Sequence, residues 1–141
     1  MNAPHPRDDP SIAVIVPVLN EAARIGALLD HLSGFAFHEV IVVDGGSDAA
    51  TADIVRAKGA KLLNAPCGRG RQLNAGADAA EADIPMFLHA DTMLPENAKE
   101  HIVALLKPSG VVAGCFKLSF DAAHPLLSLY AAASAVDSVF T

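Results

Sequence analysis

Cysteine is scarce in this chain: Cys67 and Cys115 are the only two among 141 residues, far apart and in no CxxC or Cys/His spacing. That excludes a disulfide framework and a structural zinc site, and leaves two small, reduced, half-buried thiols as the expectation. Basic residues are also few, ten Lys and Arg against sixteen Asp and Glu, for a formal net charge of −6 and a pI near 5.3. An acidic balance argues against nucleic acid and anionic lipid as general partners, although a local basic cluster can still hold a phosphate. The six histidines offset the acidity only below neutral pH. No uninterrupted apolar run reaches the roughly 20 residues of a membrane span. The nearest, residues 118–136, is broken by Asp121, His124 and Pro125. Residues 1–10, with Pro4, Pro6, Pro10, Arg7, Asp8 and Asp9, lack the apolar stretch of a signal peptide and read as a disordered tail. The expected location is cytoplasmic, with residues 118–139 as the segment suited to touch the inner membrane face or a second copy. Internal repeats and low-complexity blocks are absent.

What is present is apolar. Hydrophobic residues make up 52% and charged residues 18%, which excludes an intrinsically disordered chain, although much of the apolar share is alanine, which adds little burial per residue. The length suits one domain, residues 11–141, able to bury roughly two thirds of its unfolded surface. SIAVIVPV at 11–18 and EVIVVD at 39–44 are β-branched runs without alternation, as in strands buried on both faces of a parallel sheet. Between them Ala22, Ile25, Leu28, Leu29 and Leu32 recur at helical spacing, and Gly34 ends the segment. A second helix is expected from a Ser47 or Asp48 N-cap to Lys58, then a strand over 60–64 and a helix over 71–80. IPMFLH at 84–89 reads as a strand, and 96–107 as a helix burying Ile102, Leu105 and Leu106, closed by Pro108 and Gly110. A strand over 111–120 and a helix over 125–139 complete the reading. Strand and helix alternating in this way predict an α/β, doubly wound, mostly parallel sheet.

Each of the main strands ends in polar residues. Asn20 and Glu21 follow the first, Asp44 to Asp48 the second, and His89 and Asp91 the strand at 84–89. In open parallel sheets the carboxyl ends of the strands form the ligand crevice, so these groups should converge. The first βα turn, PVLNE at 17–21, has no glycine, which excludes a dinucleotide fingerprint there, and no GxxxxGK[ST] loop occurs. Asp44 before Gly45 and Gly46 can accept hydrogen bonds from a nucleobase or ribose; alternatively, Asp44 and Ser47 only cap the next helix. Arg69 and Arg71, on the loop from Cys67 to Gly70 before a helix, suit a diphosphate or a base edge, unless they merely pair with neighbouring carboxylates. Asp91 can hold a divalent cation together with phosphate oxygens; the plainer alternatives are an N-cap role for Asp91 and core packing for His89.

These segments resemble the family 2 glycosyltransferases, which have the GT-A, Rossmann-like nucleotide-diphospho-sugar transferase fold. The resemblance rests on IVPVLNEAARI at 15–25, VIVVDGGSDAAT at 40–51, GRGRQLNAGA at 68–77 and FLHADTMLP at 87–95, in family order. It implies that Pro17, Asn20, Glu21, Asp44 and Gly45 line a nucleotide pocket with Asp44 facing the base. It also implies that Arg69 and Arg71 help hold base or phosphates, and that Asp91 coordinates Mn2+ or Mg2+ on the diphosphate. His89 stands where the family's DxD motif begins, as in a bacterial variant reading HAD. The reaction implied is inverting transfer of a sugar from a UDP-, GDP- or dTDP-sugar to a hydroxyl of a lipid, polysaccharide or protein, with metal and arginine stabilising the leaving diphosphate.

Family members are longer, and their general base follows well after the DxD motif. Asp121 and Asp137 are the only acidic residues beyond Glu100, and neither sits in a matching context. The expectation is therefore an N-terminal donor-binding portion, truncated or short, that lacks the C-terminal part of the fold. A nucleotide-sugar-binding module without turnover is the competing reading. A sugar-1-phosphate nucleotidyltransferase would want a glycine-rich, basic first turn, which is lacking here.

Overall fold

The computed structural model describes residues 9–107, 110–117 and 139–140. The chain divides into two units, Met1–Lys99 and Glu100–Thr141. In the first, β1 (Ile12–Val18), α1 (Ala22–Ser33), β2 (Glu39–Asp44), α2 (Ala49–Ala57), β3 (Lys61–Asn64), α3 (Arg69–Ala79) and β4 (Ile84–Phe87) follow in turn. Their strands form one sheet in the order β3-β2-β1-β4, every pair parallel. The 11–18 and 39–44 runs are strands as expected. All of β1 except the half-buried Pro17 is fully enclosed, which is what a run without alternation requires.

Helices cover both faces. On one, Val14, Val16, Val18 and Val42 pack with Ile25, Leu28, Leu29 and Leu32 of α1 and Val55 of α2. Each buried aliphatic side chain there contributes about 1.5–3 kcal/mol of transfer free energy. On the other, Ile15, Ile41 and Val43 meet Leu63 of β3 and Leu73 of α3. The sheet is therefore doubly wound. Asp48 is the N-cap of α2, accepting from the Thr51 N–H at 3.4 Å, so of the two candidates the aspartate caps the helix.

Several boundaries differ from expectation. Helix α3 starts at Arg69 rather than residue 71, because Gly68 takes φ +135° as its N-cap and turns the chain early. Both arginines therefore lie in its first turn. Strand β4 stops at Phe87 rather than residue 89. Along β1 the ladder alternates: the Val18 carbonyl accepts from Gly45 on the β2 side, and the Ile15 carbonyl accepts from Leu88 on the β4 side. The nitrogen of Pro17 thus falls on the β4 edge and has no hydrogen to donate, so pairing ends there.

Helix α4 (Ala98–Leu106) begins two positions later than expected. Ala98, Ile102 and Val103 are its buried residues, whereas Leu105 is 36% exposed and Leu106 half-buried, so neither leucine is enclosed as expected. In the second unit, among the described residues of the 111–120 segment, only β5 (Ala113–Gly114) is a strand, paired antiparallel with β6 (Val139–Phe140). Residues 111–112 and 115–117 are irregular and 118–120 lie outside the described residues. Val139, expected to end a helix, is in a strand; residues 125–138 of that helix lie outside the described residues, as do residues 1–8 of the tail and most of the 118–139 contact segment. Both cysteines are exposed, not half-buried. No helix among the described residues is long and apolar enough to cross a membrane.

The approach of α3 to the sheet is set by Gly76. A Cβ there would collide with the Ile15 Cγ2 methyl and stand 3.0 Å from Val43 Cγ2. Glycine to alanine within a helix normally gains about 0.5–1 kcal/mol. Gly70→Ala, with nothing within 4 Å of the new methyl, is expected to show that gain. Gly76→Ala is expected to cost about 1–3 kcal/mol through overpacking. Urea denaturation of the two variants, read as opposite shifts in midpoint, checks this; a gain for Gly76→Ala would contradict the contact.

Candidate functional site

The strand order runs outward from β1 through β2 to β3, then returns to place β4 on the other side of β1. The reversal between β1 and β4 is a topological switch point, where helices leave opposite faces and a crevice opens at the carboxyl ends. Pro17 widens it by ending the β1–β4 ladder. A cleft of about 370 Å³ lies there. Its walls are Pro17, Val18, Leu19 and Glu21 after β1, Cys67, Gly68, Arg69 and Gln72 at the start of α3, and His89, Ala90 and Asp91 after β4.

Of the nine residues singled out from sequence, the cleft brings together Pro17, Glu21, Arg69, His89 and Asp91. The other four, Asn20, Asp44, Gly45 and Arg71, are not among its lining residues. Asn20 and Asp44 hold the adjoining loops. Asn20 sits in the left-handed region at φ +55°, its N–H donating to Ser47 Oγ at 2.8 Å and its Oδ1 accepting from the Asp48 N–H at 2.9 Å. The loop after β1 is thereby fastened to the loop after β2, which stabilises an otherwise costly backbone conformation. Asp44 is 4% exposed, and its Oδ1 accepts from the N–H groups of Gly46 at 3.0 Å and Ser47 at 2.8 Å. Both of those bonds use one oxygen; among the described residues no group donates to Oδ2.

Residues that sequence reasoning passed over complete the site. Gln72, 4% exposed, donates from Nε2 to the carbonyls of Val18 and Val43, both at 2.9 Å, and accepts the Gly68 N–H at Oε1. Leu19, a large apolar side chain 45% exposed on the cleft, offers a surface for a flat ligand. Its signal was an apolar residue placed after a strand rather than in it. Across the sheet, His31 Nε2 lies 2.9 Å from the Leu94 carbonyl and 3.2 Å from the Leu94 nitrogen, so α1 anchors the loop that follows Asp91.

The cleft has charge of both signs. Neither Arg69 nor Arg71 forms an ion pair among the described residues, so the alternative of arginines neutralised by neighbouring carboxylates does not hold. The N-terminus of α3 has no side-chain cap, leaving its first N–H groups for an anion. His89 is exposed rather than packed in the core, and Asp91 is exposed with its Oδ1 3.3 Å from the Thr92 hydroxyl. Among the described residues no three His, Cys, Asp or Glu side chains form a metal cage. One carboxylate beside an imidazole fits a hard cation only where a ligand's oxygens complete the shell, the usual situation for magnesium with phosphates.

The chain resembles known proteins over most of its length. It is 37% identical over 103 residues to 4,4'-diaponeurosporenoate glycosyltransferase of Staphylococcus haemolyticus, covering 66% of this chain and 28% of that protein. It is 31% identical over 97 residues to undecaprenyl-phosphate 4-deoxy-4-formamido-L-arabinose transferase of Aeromonas hydrophila, covering 60% and 30%. Among solved structures, glucosyl-3-phosphoglycerate synthase of Mycobacterium tuberculosis, in complex with Mn2+, UDP and phosphoglyceric acid, superposes with a TM-score of 0.63 at 28% identity, over 72% of this chain and 41% of that one. The same enzyme with Mg2+ and UDP gives 0.62. The chain thus spans well under half the length of these proteins, and its sheet is that of the GT-A fold. Residues 13–126 match the family described as glycosyl transferase family 2, and with the strand order, switch-point cleft and motif positions in agreement, the chain belongs to that family.

Proposed function

We propose that this chain is the donor-binding part of a glycosyltransferase that moves a sugar from a nucleoside diphosphate to an acceptor hydroxyl with inversion. The observation that carries the reading is the switch-point cleft, where unpaired Arg69 and the uncapped α3 N-terminus share one cavity with His89 and Asp91. A diphosphate suits that set: the guanidinium forms charge-assisted hydrogen bonds and the helix N–H groups add directed donors. Arg71, in the same helical turn, assists with base or phosphates. Pro17, Asn20, Glu21 and Gly45 shape the nucleotide side, and the free Asp44 Oδ2 accepts an N–H of the base. Asp91, with His89, would hold Mn2+ or Mg2+ jointly with the diphosphate oxygens, in the HAD form of bacterial members. When bound, that cation supplies Lewis-acid neutralisation of the departing diphosphate. UDP is the favoured nucleotide, since the superposed synthase structures carry it with either cation. The acceptor is a hydroxyl of a lipid, polysaccharide or protein, and a cytoplasmic, membrane-peripheral setting accords with the undecaprenyl-phosphate in one relative's name.

Calorimetric titration with UDP, GDP and dTDP, with and without Mn2+, tests the donor site. UDP should bind, and more tightly with Mn2+. Arg69→Ala is expected to weaken binding by about 1.5–3 kcal/mol, the range for hydrogen bonds to charged groups. Asp91→Ala is expected to remove the Mn2+ increment and leave metal-free affinity in place. Well-folded protein that binds none of the three nucleotides would sink the reading.

The two roles open to Asp44 separate through Asp44→Asn. An asparagine oxygen can still accept from Gly46 and Ser47, so the turn survives, while the anionic acceptor is lost. A base contact predicts at least about a tenfold loss of UDP affinity with little change in melting temperature. Unchanged affinity would reduce Asp44 to a turn residue.

A further inference from the structure

Gln72 has a chemistry that the donor-site reading leaves unused. A carboxamide enclosed to 4% exposure offers two donors and an acceptor, and here every one is engaged with backbone. Its three partners lie on three separate segments. Val18 ends β1 at the cleft, Val43 precedes Asp44 in β2, and Gly68 is the N-cap residue immediately before Arg69. A side chain on the first turns of α3 therefore sets the spacing between both strand ends and the arginine-bearing helix start. The fit is tight in the other direction as well. A Cβ on Gly45 would stand 3.0 to 3.1 Å from the Gln72 carboxamide atoms, so the glycine after Asp44 leaves the room the amide occupies.

We propose that Gln72 is a positioning residue for donor binding: by tying Val18, Val43 and Gly68 it holds the start of α3 so that Arg69 and the helix N–H groups meet the diphosphate. The inference rests on the donor-site reading above. Gln72 does not itself need to touch the nucleotide. An amide that can donate twice and accept once is required; methionine fills the volume without either function, and glutamate keeps the acceptor but loses the two donors.

The test is a double-mutant cycle read by calorimetric UDP titration with Mn2+. Wild type, Gln72→Met, Arg69→Ala and the double variant are compared, with Val55→Ala as a control that opens a cavity on the opposite face of the sheet. Gln72→Met is expected to lower UDP affinity about tenfold, and the Arg69→Ala loss should shrink by at least about fivefold in its presence, because the arginine is already misplaced. Val55→Ala should lower the melting temperature yet leave affinity within about twofold of wild type. Should Gln72→Met not fold, Gln72→Glu takes its place in the same cycle with the same expectation. Additive losses, or wild-type affinity in a folded Gln72 variant, overturn the positioning role while the donor site stands. Failure of the wild-type chain to bind UDP, GDP or dTDP overturns the donor site and this role together.

Discussion

The enclosure of β1 is the constraint from which the site follows. The strand has a neighbour on each edge and helices over each face, so polar side chains have no place along its length. Chemistry can gather only where the strand ends. Pro17 decides where that is on one side: with no N–H to offer β4, it stops the ladder after the bond from Leu88 to Ile15 and lets the chain beyond diverge. On the other side the β2 pairing persists to Val18 and Asp44. One edge closed and the other open is the shape of a crevice, and the cleft lies on the open edge.

Ending a buried ladder leaves backbone groups that need partners at the same place. Gln72, Asn20, Asp44 and Ser47 supply them, each from a segment other than the one it satisfies or from the turn itself. The polar residues near the strand ends therefore divide into two sets with different duties. One set fastens loops; the other, with Arg69, His89, Asp91 and Glu21, lines the cavity, and Gln72 belongs to both. Each net hydrogen bond of the first set is worth about 1 kcal/mol to stability. Its greater consequence is that the second set stands on a frame with little freedom to shift.

That division explains what could be read from the sequence. Strands β1 and β2 were legible because uninterrupted β-branched runs have few other homes, and α1 because its apolar residues repeat at one spacing. The Asp48 cap was legible because capping is local. The end of β4 was not: IPMFLH carries strand-like residues to His89, and the reason pairing stops lies in Pro17, far away in the chain. Gln72 was illegible for a similar reason. Glutamine in a helix reads as solvated surface, and only the meeting of three backbone segments over it makes burial favourable. The cleft residues themselves stood out, since charge after an apolar strand has few purely structural uses, but the assignment of Asn20 to loop fastening needed the geometry.

Charge gives the site its remaining logic. At physiological ionic strength interactions between exposed charges fade beyond about 8 Å, so the net −6 of the chain matters less to a bound diphosphate than the groups on the cleft. Among those, Arg69 is positive while Glu21 and Asp91 are negative, which leaves the lining formally −1 with His89 neutral. Arg24 partly offsets Glu21 through an exposed ion pair of 3.2 Å, worth under about 1 kcal/mol. A cavity of that sign does not by itself favour an anion of charge −2 or more, even with helix N–H groups directed at it. A divalent cation beside Asp91 reverses the sign to +1. Among the described residues no set of side chains holds such an ion alone, and a nucleotide would meet no positive cavity without it, so in the proposed donor site each would complete the site for the other. On the proposed reading, two individually weak associations would become one mutually dependent event, by which an acidic domain with few basic residues would receive a nucleoside diphosphate.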